Sequence, residues 1–186
     1  MKTVKDYILE AKFVSKLMLD LSYLALEEKN EDINDDVKEL YEKIRIVERE
    51  LIKILFKIKV NDDERLVMIE FIDQIKDICN STLQNTQLVK SEIFPQILMQ
   101  SLEEDEEKMI RVRVKKGSFL EVTNINKKRL EQVSQSKIKA IKRDTKWFFK
   151  NGDGYEFKEG DVIIATGNSI SKSLLTNAAT KKSLSL

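Results

Sequence analysis

The chain has 186 residues, of which 33 are Lys or Arg, 32 are Asp or Glu and none is His. An apolar share of 41% excludes a disordered chain, and the missing imidazole removes the side chain that usually moves protons near neutrality, which argues against an enzyme. The net charge of +1 hides a division, because residues 1–107 carry 15 basic against 25 acidic side chains and residues 108–186 carry 18 against 7. Halves of opposite sign predict two modules, 1–107 and 108–186, with the basic one turned toward an anionic partner. No apolar run approaches the ~20 residues needed to cross a bilayer. The start, MKTVKDYILEAKF, mixes acids with its apolar residues and does not read as a leader peptide. A single cysteine, Cys79, has no internal partner. A reducing, cytoplasmic setting is expected.

From Val4 to Lys29 the spacing of Ile8, Ala11, Met18, Leu21 and Ala25 predicts a first amphipathic helix. A second follows, capped by Asn30 or Asn34. Along it Ile33, Val37, Leu40, Ile44, Val47, Leu51, Ile54 and Ile58 step by fours and threes, a seam for lengthwise packing. The short link KVNDDE favours an antiparallel partner. A third helix opens near Asp62 or Asp63 and carries Met68, Ile72, Ile75, Cys79, Thr82, Thr86 and Val89 on its seam, beside a polar stripe of Glu70, Asp73, Asp77 and Asn80. Pro95 must end or kink this helix, since it lacks an amide donor. A last helical piece, Gln96 to Glu107, ends in acids that oppose the helix dipole and should fray into a linker.

The basic half changes period. RVRVKKG alternates, with Val112 and Val114 on one face and Arg111, Arg113 and Lys115 on the other, as a half-exposed strand does. Asn126 to Val133 allows a short helix. IKAIKRD, KWFF and DVIIATG read as three further strands, with glycine turns NGDG and KEGD between the last two. DVIIATG lacks polar alternation and should be a central strand buried on both faces. Ile170 to Ala178 reads as a terminal helix. Trp147, Phe148 and Phe149 cannot all point inward from one strand, so a homodimer through this module, or cover from the helical half, is expected. The fold class is therefore α+β.

The stretch IKAIKRDTKWFF, followed by FKEGDVIIATG, resembles the C-terminal domain of regulators of potassium conductance, the TrkA-C or RCK-C domain. Ile141, Lys142 and Arg143 match its first strand. Glu159, Gly160, Asp161 and Gly167 match the turn and buried strand, without the proline that precedes the glycine there. The Gly-Lys-Thr before that family's first helix is replaced by Asn126, Lys127 and Lys128. KLMLDLSYLAL, the heptad helix and IEFIDQIKDICN resemble the helical bundles of PhoU-type proteins. The two resemblances together imply an antiparallel PhoU-like bundle fused to a small, mostly antiparallel TrkA-C module. They imply a homodimeric regulatory or ligand-sensing subunit of potassium or other cation transport, peripheral to a membrane transporter or channel.

The TrkA-C resemblance implies a small anionic ligand, cyclic dinucleotides among them, at a dimer interface along Ala140, Ile141, Lys142 and Arg143. Period two puts Lys139, Ile141 and Arg143 on one face and Ala140 and Lys142 on the other. Arg143 could grip a phosphate with both arms of its fork, or pair with an acid such as Asp161. The PhoU resemblance implies a metal ion at Asp73 and Asp77, whose i, i+4 spacing lets carboxylates converge on a hard cation. Lys43 and Arg45 oppose that, and pairing of both aspartates with a neighbouring helix's cations is the plainer expectation. The remaining alternatives are a metal-binding phosphate-transport regulator and a nucleic-acid-binding protein. The latter is disfavoured by basic residues spread over several elements without a recognition motif. No phosphate-cradling glycine motif or nucleotide fold is present.

Overall fold

A computed structural model of the chain describes residues 2–91, 100–101, 107–123, 125–149 and 155–182. It is α+β and divides into two compact units, Met1–Glu104 and Asp105–Leu186. Among the described residues no helix is long and apolar enough to cross a membrane.

The first unit is a bundle of α1 (Val4–Glu28), α2 (Glu31–Leu55) and α3 (Asp62–Asn85), followed by a 3-10 turn over Thr86–Lys90. Each start is fixed by a short polar side chain. Thr3 and Asp6 form a reciprocal capping box on α1. The Asn30 side chain accepts from the Asp32 amide and caps α2. The Asn61 side chain accepts from the Glu64 amide at 2.7 Å, so Asn61 caps α3, and Asp62 and Asp63, where the helix is expected to open, form its first turn.

Contacts between α2 and α3 run in opposite senses. Tyr41 meets Asn80, Glu48 meets Lys76, and the Leu55 carbonyl accepts from Arg65. The two helices are therefore antiparallel. The α2 seam is buried from Ile33 through Leu51, and the next buried position is Leu55 rather than Ile54. Ile54 is half-buried one residue before the helix ends, and Ile58 lies beyond that end. From α1 the core takes Val14, Leu17 and Leu24 as well as the expected Ala11, Met18, Leu21 and Ala25, while Ile8 is half-buried. Cys79 is fully buried, and burial pushes its thiol up to about 11, which makes it a packing residue rather than a reactive one. The expected break at Pro95 falls outside the described residues, as does the final helical piece but for Gln100, Ser101 and Glu107.

The second unit runs β1 (Lys108–Arg113), α4 (Phe119–Val122), α5 (Lys127–Ser134), β2 (Lys137–Arg143), β3 (Lys146–Phe148), β4 (Val162–Gly167), α6 (Ser169–Thr180). The strands form one antiparallel sheet in the order β1-β4-β2-β3. The apolar run of β4 occupies the centre, with Val162, Ile163, Ile164 and Ala165 all buried. Ile110, Val112, Ile138, Ile141, Ile163 and Ala165 form the core with Leu130 of α5 and Leu175, Ala178 and Ala179 of α6.

Two features depart from the sequence expectation. The one-turn α4 arises where the sequence predicts no element. A β-bulge between Ile138 and Ala140 breaks the period of two in β2, so Ile138 and Ile141, three residues apart, enter the same core. Lys139 therefore does not share a face with Ile141 by simple alternation.

Candidate functional site

The residues expected to hold an anion lie on β2, the neighbour of the central strand. Ala140 and Ile141 are fully buried, so their side chains form structure. Lys142 sits with its ammonium 5.7 Å from the centre of the Trp147 ring, a cation–π pair across the β2–β3 ladder. Trp147 stacks in turn on Phe149 at 6.2 Å, while Phe148 packs toward the core. Alternation thus splits the three aromatics between the two faces of the sheet.

Arg143 closes onto Asp161. Its Nε donates to Oδ1 at 2.7 Å and its Nη2 to Oδ2 at 2.8 Å, and Nη2 also donates to the Glu156 carbonyl. Asp161 is fully buried, and its Oδ2 further accepts from the Lys158 amide and the Tyr155 hydroxyl. The hydrogen bond to Asp161 raises the guanidinium above its ordinary value despite partial burial. Burial first, and then the Asp161 charge, push the Tyr155 phenol well up. The Arg143 fork is therefore occupied from within, and its role is to tie the end of β2 to the entry of β4.

The turn that presents Asp161 explains its sequence. Asp161 N donates to the Lys158 carbonyl, and Gly160 has φ +88°, the left-handed value that this second turn position requires and that favours glycine. Gly160 N and Val114 N then bond to Val114 O and Asp161 O respectively, carrying the β1–β4 pairing one step further.

At the opposite end of β2 and β4 lies a cavity of about 680 Å³. Gln135, Ser136 and Lys137 line it from the start of β2, and Thr166, Gly167, Asn168 and Ser171 from the junction of β4 with α6. Glu107 completes the wall, so one cation and one anion face a largely neutral polar space. Asn168 caps α6 by accepting from the Ser171 amide, and Ser171 Oγ donates to the Gln135 carbonyl at 2.6 Å, which fixes the two walls to each other. Gly167 permits that approach, because a Cβ there would lie 2.5 Å from the Ser171 Cβ. Among these residues only Gly167 was singled out by sequence, as the end of a buried strand. The signal for the rest was the sequence Gly167-Asn168 ahead of a helix, a strand-to-cap junction.

In the helical unit, Asp73 and Asp77 are both exposed on α3. Among the described residues no group of three or more His, Cys, Asp and Glu is placed to hold a metal ion. Among the described residues the ion pairs expected instead, between these aspartates and a neighbouring helix's cations, are not formed either. Lys76 goes to Glu48 at 2.8 Å, Lys43 to Glu10 at 3.1 Å, and Arg45 to Glu42. Each of these cations forms its ion pair with an acid of α1 or α2, and the charge of Asp73 only adds to the field at Lys76. A second cavity, of about 340 Å³, opens between Arg45, Arg49 and Lys53 of α2 and Lys76 of α3.

No protein-family model matches the sequence, and no curated protein matches it.

Proposed function

We propose that the protein is a homodimeric regulatory subunit of potassium or other cation transport, whose β unit senses a small anionic ligand and whose helical unit is a PhoU-like bundle. The division into an acidic helical unit and a basic unit of the order β-α-α-β-β-β-α, with the turn Glu159-Gly160-Asp161 feeding a buried central strand, agrees with a TrkA-C module. The observation that carries the ligand is the polar cavity at the carboxyl end of β4, with Lys137 as its cation and the first turn of α6 beside it. The ligand belongs there rather than on Arg143, because the Arg143 fork is already spent on Asp161. Cyclic dinucleotides are the first ligands to test. Their phosphates would lie near Lys137, and Ser136, Asn168 and Thr166 offer partners for a base or ribose.

Thermal unfolding with and without cyclic dinucleotides tests this reading. A ligand held at one hundred times its Kd stabilises by about 2.7 kcal/mol, so a clear rise in Tm is expected, lost in Lys137→Ala. An unchanged Tm at millimolar ligand, or an equal rise in Lys137→Ala, contradicts it.

A further inference from the structure

α3 is the least buried of the three long helices, with Ile72, Ile75, Cys79 and Thr82 as its buried residues against nine on each of α1 and α2. Its outward side is nonetheless patterned. Val67, Phe71 and Ile78 are 63%, 46% and 53% exposed, and with Gln74 between them they step by four, three and four, the spacing of a helix-packing seam. One edge of this seam continues into the bundle through Ile75. Its other edge carries Asp63, Glu70 and Asp77, each seven residues from the next and all exposed. Among the described residues none of these three carboxylates enters an ion pair or hydrogen bond, whereas acids of α1 and α2 such as Glu10, Asp35, Glu42, Glu48 and Glu50 do.

An apolar stripe with an acidic row along its free edge has a definite complement. We infer that the outer face of α3 docks a cationic amphipathic helix of a partner protein, its apolar side chains set between Val67, Phe71 and Ile78 and its Lys or Arg residues set against Asp63, Glu70 and Asp77. The stripe from Asp63 to Ile78 covers about four turns, or ~22 Å, so the partner helix needs about 15 residues. A second copy of the chain fits poorly. Antiparallel two-fold pairing of α3 with itself sets the acidic row against the same row, and like charges so placed repel. The inference does not rest on the sensing reading, and its test is independent of it.

The experiment measures binding of the full chain to a synthetic helix of about 18 residues with Leu on a heptad seam and Lys at its edges, beside a scrambled peptide of the same composition. Micromolar binding is expected for the patterned peptide, with at least a tenfold preference over the scrambled one. Two variants should each weaken it about tenfold: Phe71→Ser with Ile78→Ser, and Asp63→Asn with Glu70→Gln and Asp77→Asn. The second should also flatten the salt dependence. Asp20→Asn with Asp35→Asn and Glu42→Gln makes the same charge change elsewhere and should leave binding unaltered. Circular dichroism confirms that each variant stays folded. The inference is overturned if the patterned peptide does not bind, if the scrambled peptide or either α3 variant binds equally well, or if sedimentation shows a dimer that Phe71→Ser with Ile78→Ser converts to monomer.

Discussion

The two units use charge in different ways. In the helical bundle the ion pairs decorate helix surfaces. Arg45–Glu42, Lys53–Glu50 and Lys38–Asp35 are exposed pairs three residues apart, of a kind that solvent screening leaves with little effect on stability. In the β unit one pair, Arg143–Asp161, has a fully buried acid with four donor contacts. The bundle is thus held by its apolar stripes and could lose almost any single pair. The β unit has fewer residues with which to build a core, and it concentrates specificity in one buried knot.

Removing the arginine breaks this contrast most severely. Arg143→Ala leaves the Asp161 carboxylate buried without its main counter-charge, which costs about 3–5 kcal/mol. The expected result in denaturant titration is a large loss of midpoint in the β unit, against a change near zero for Arg45→Ala in the bundle. A loss of ligand response without loss of stability in Arg143→Ala would instead make Arg143 a binding residue.

A smaller effect is expected at Gly167→Ala. The new Cβ meets Ser171 at a distance that side chains do not tolerate, so the first turn of α6 must move. Overpacking of this kind costs about 1–3 kcal/mol. Because Gly167 lines the cavity, ligand stabilisation should fall together with Tm, while Gly160→Ala, strained at its positive φ, should lower Tm and spare the cavity.

Much of this was legible in the sequence, and the exceptions have physical causes. The α2 seam and the β4 run could be read because burial on one stripe, or on both faces of a strand, leaves a periodic trace. The metal expectation at Asp73 and Asp77 rested on spacing within one helix. Spacing places two carboxylates on a face but says nothing of whether a neighbouring helix supplies further ligands, and the α2 cations Lys43 and Arg45 pair with Glu10 and Glu42 while Glu48 of α2 takes Lys76. Sequence allowed Arg143 to meet either a phosphate or an acid such as Asp161. The choice depended on a turn eighteen residues away, and the β2 bulge could not be read from alternation because it is a break in alternation. The cavity was invisible for a similar reason, since its walls come from two ends of two strands and a helix cap.

The smallest effect concerns pH. Burial pulls the Glu10 carboxyl up, but hydrogen bonds from Lys2 and Lys43 outweigh this and hold it below its ordinary value. A lowered folded-state value means a contribution present above the ordinary carboxylate value of 4.5 and lost as pH falls through the folded one. Acid titration of stability should therefore be shallower in Glu10→Gln than in the parent chain below that range. An identical profile would show that the Lys2–Glu10–Lys43 cluster holds nothing.

The sensing role is tested most directly by hydrogen exchange on the full chain with and without a saturating cyclic dinucleotide. Binding at the carboxyl end of β4 predicts slowed exchange at the amides of residues 135–137 and 166–171, with the amides of 140–143 unchanged in their sheet ladder. Exchange that is unaltered throughout the β unit, or slowed at 140–143 alone, would contradict it.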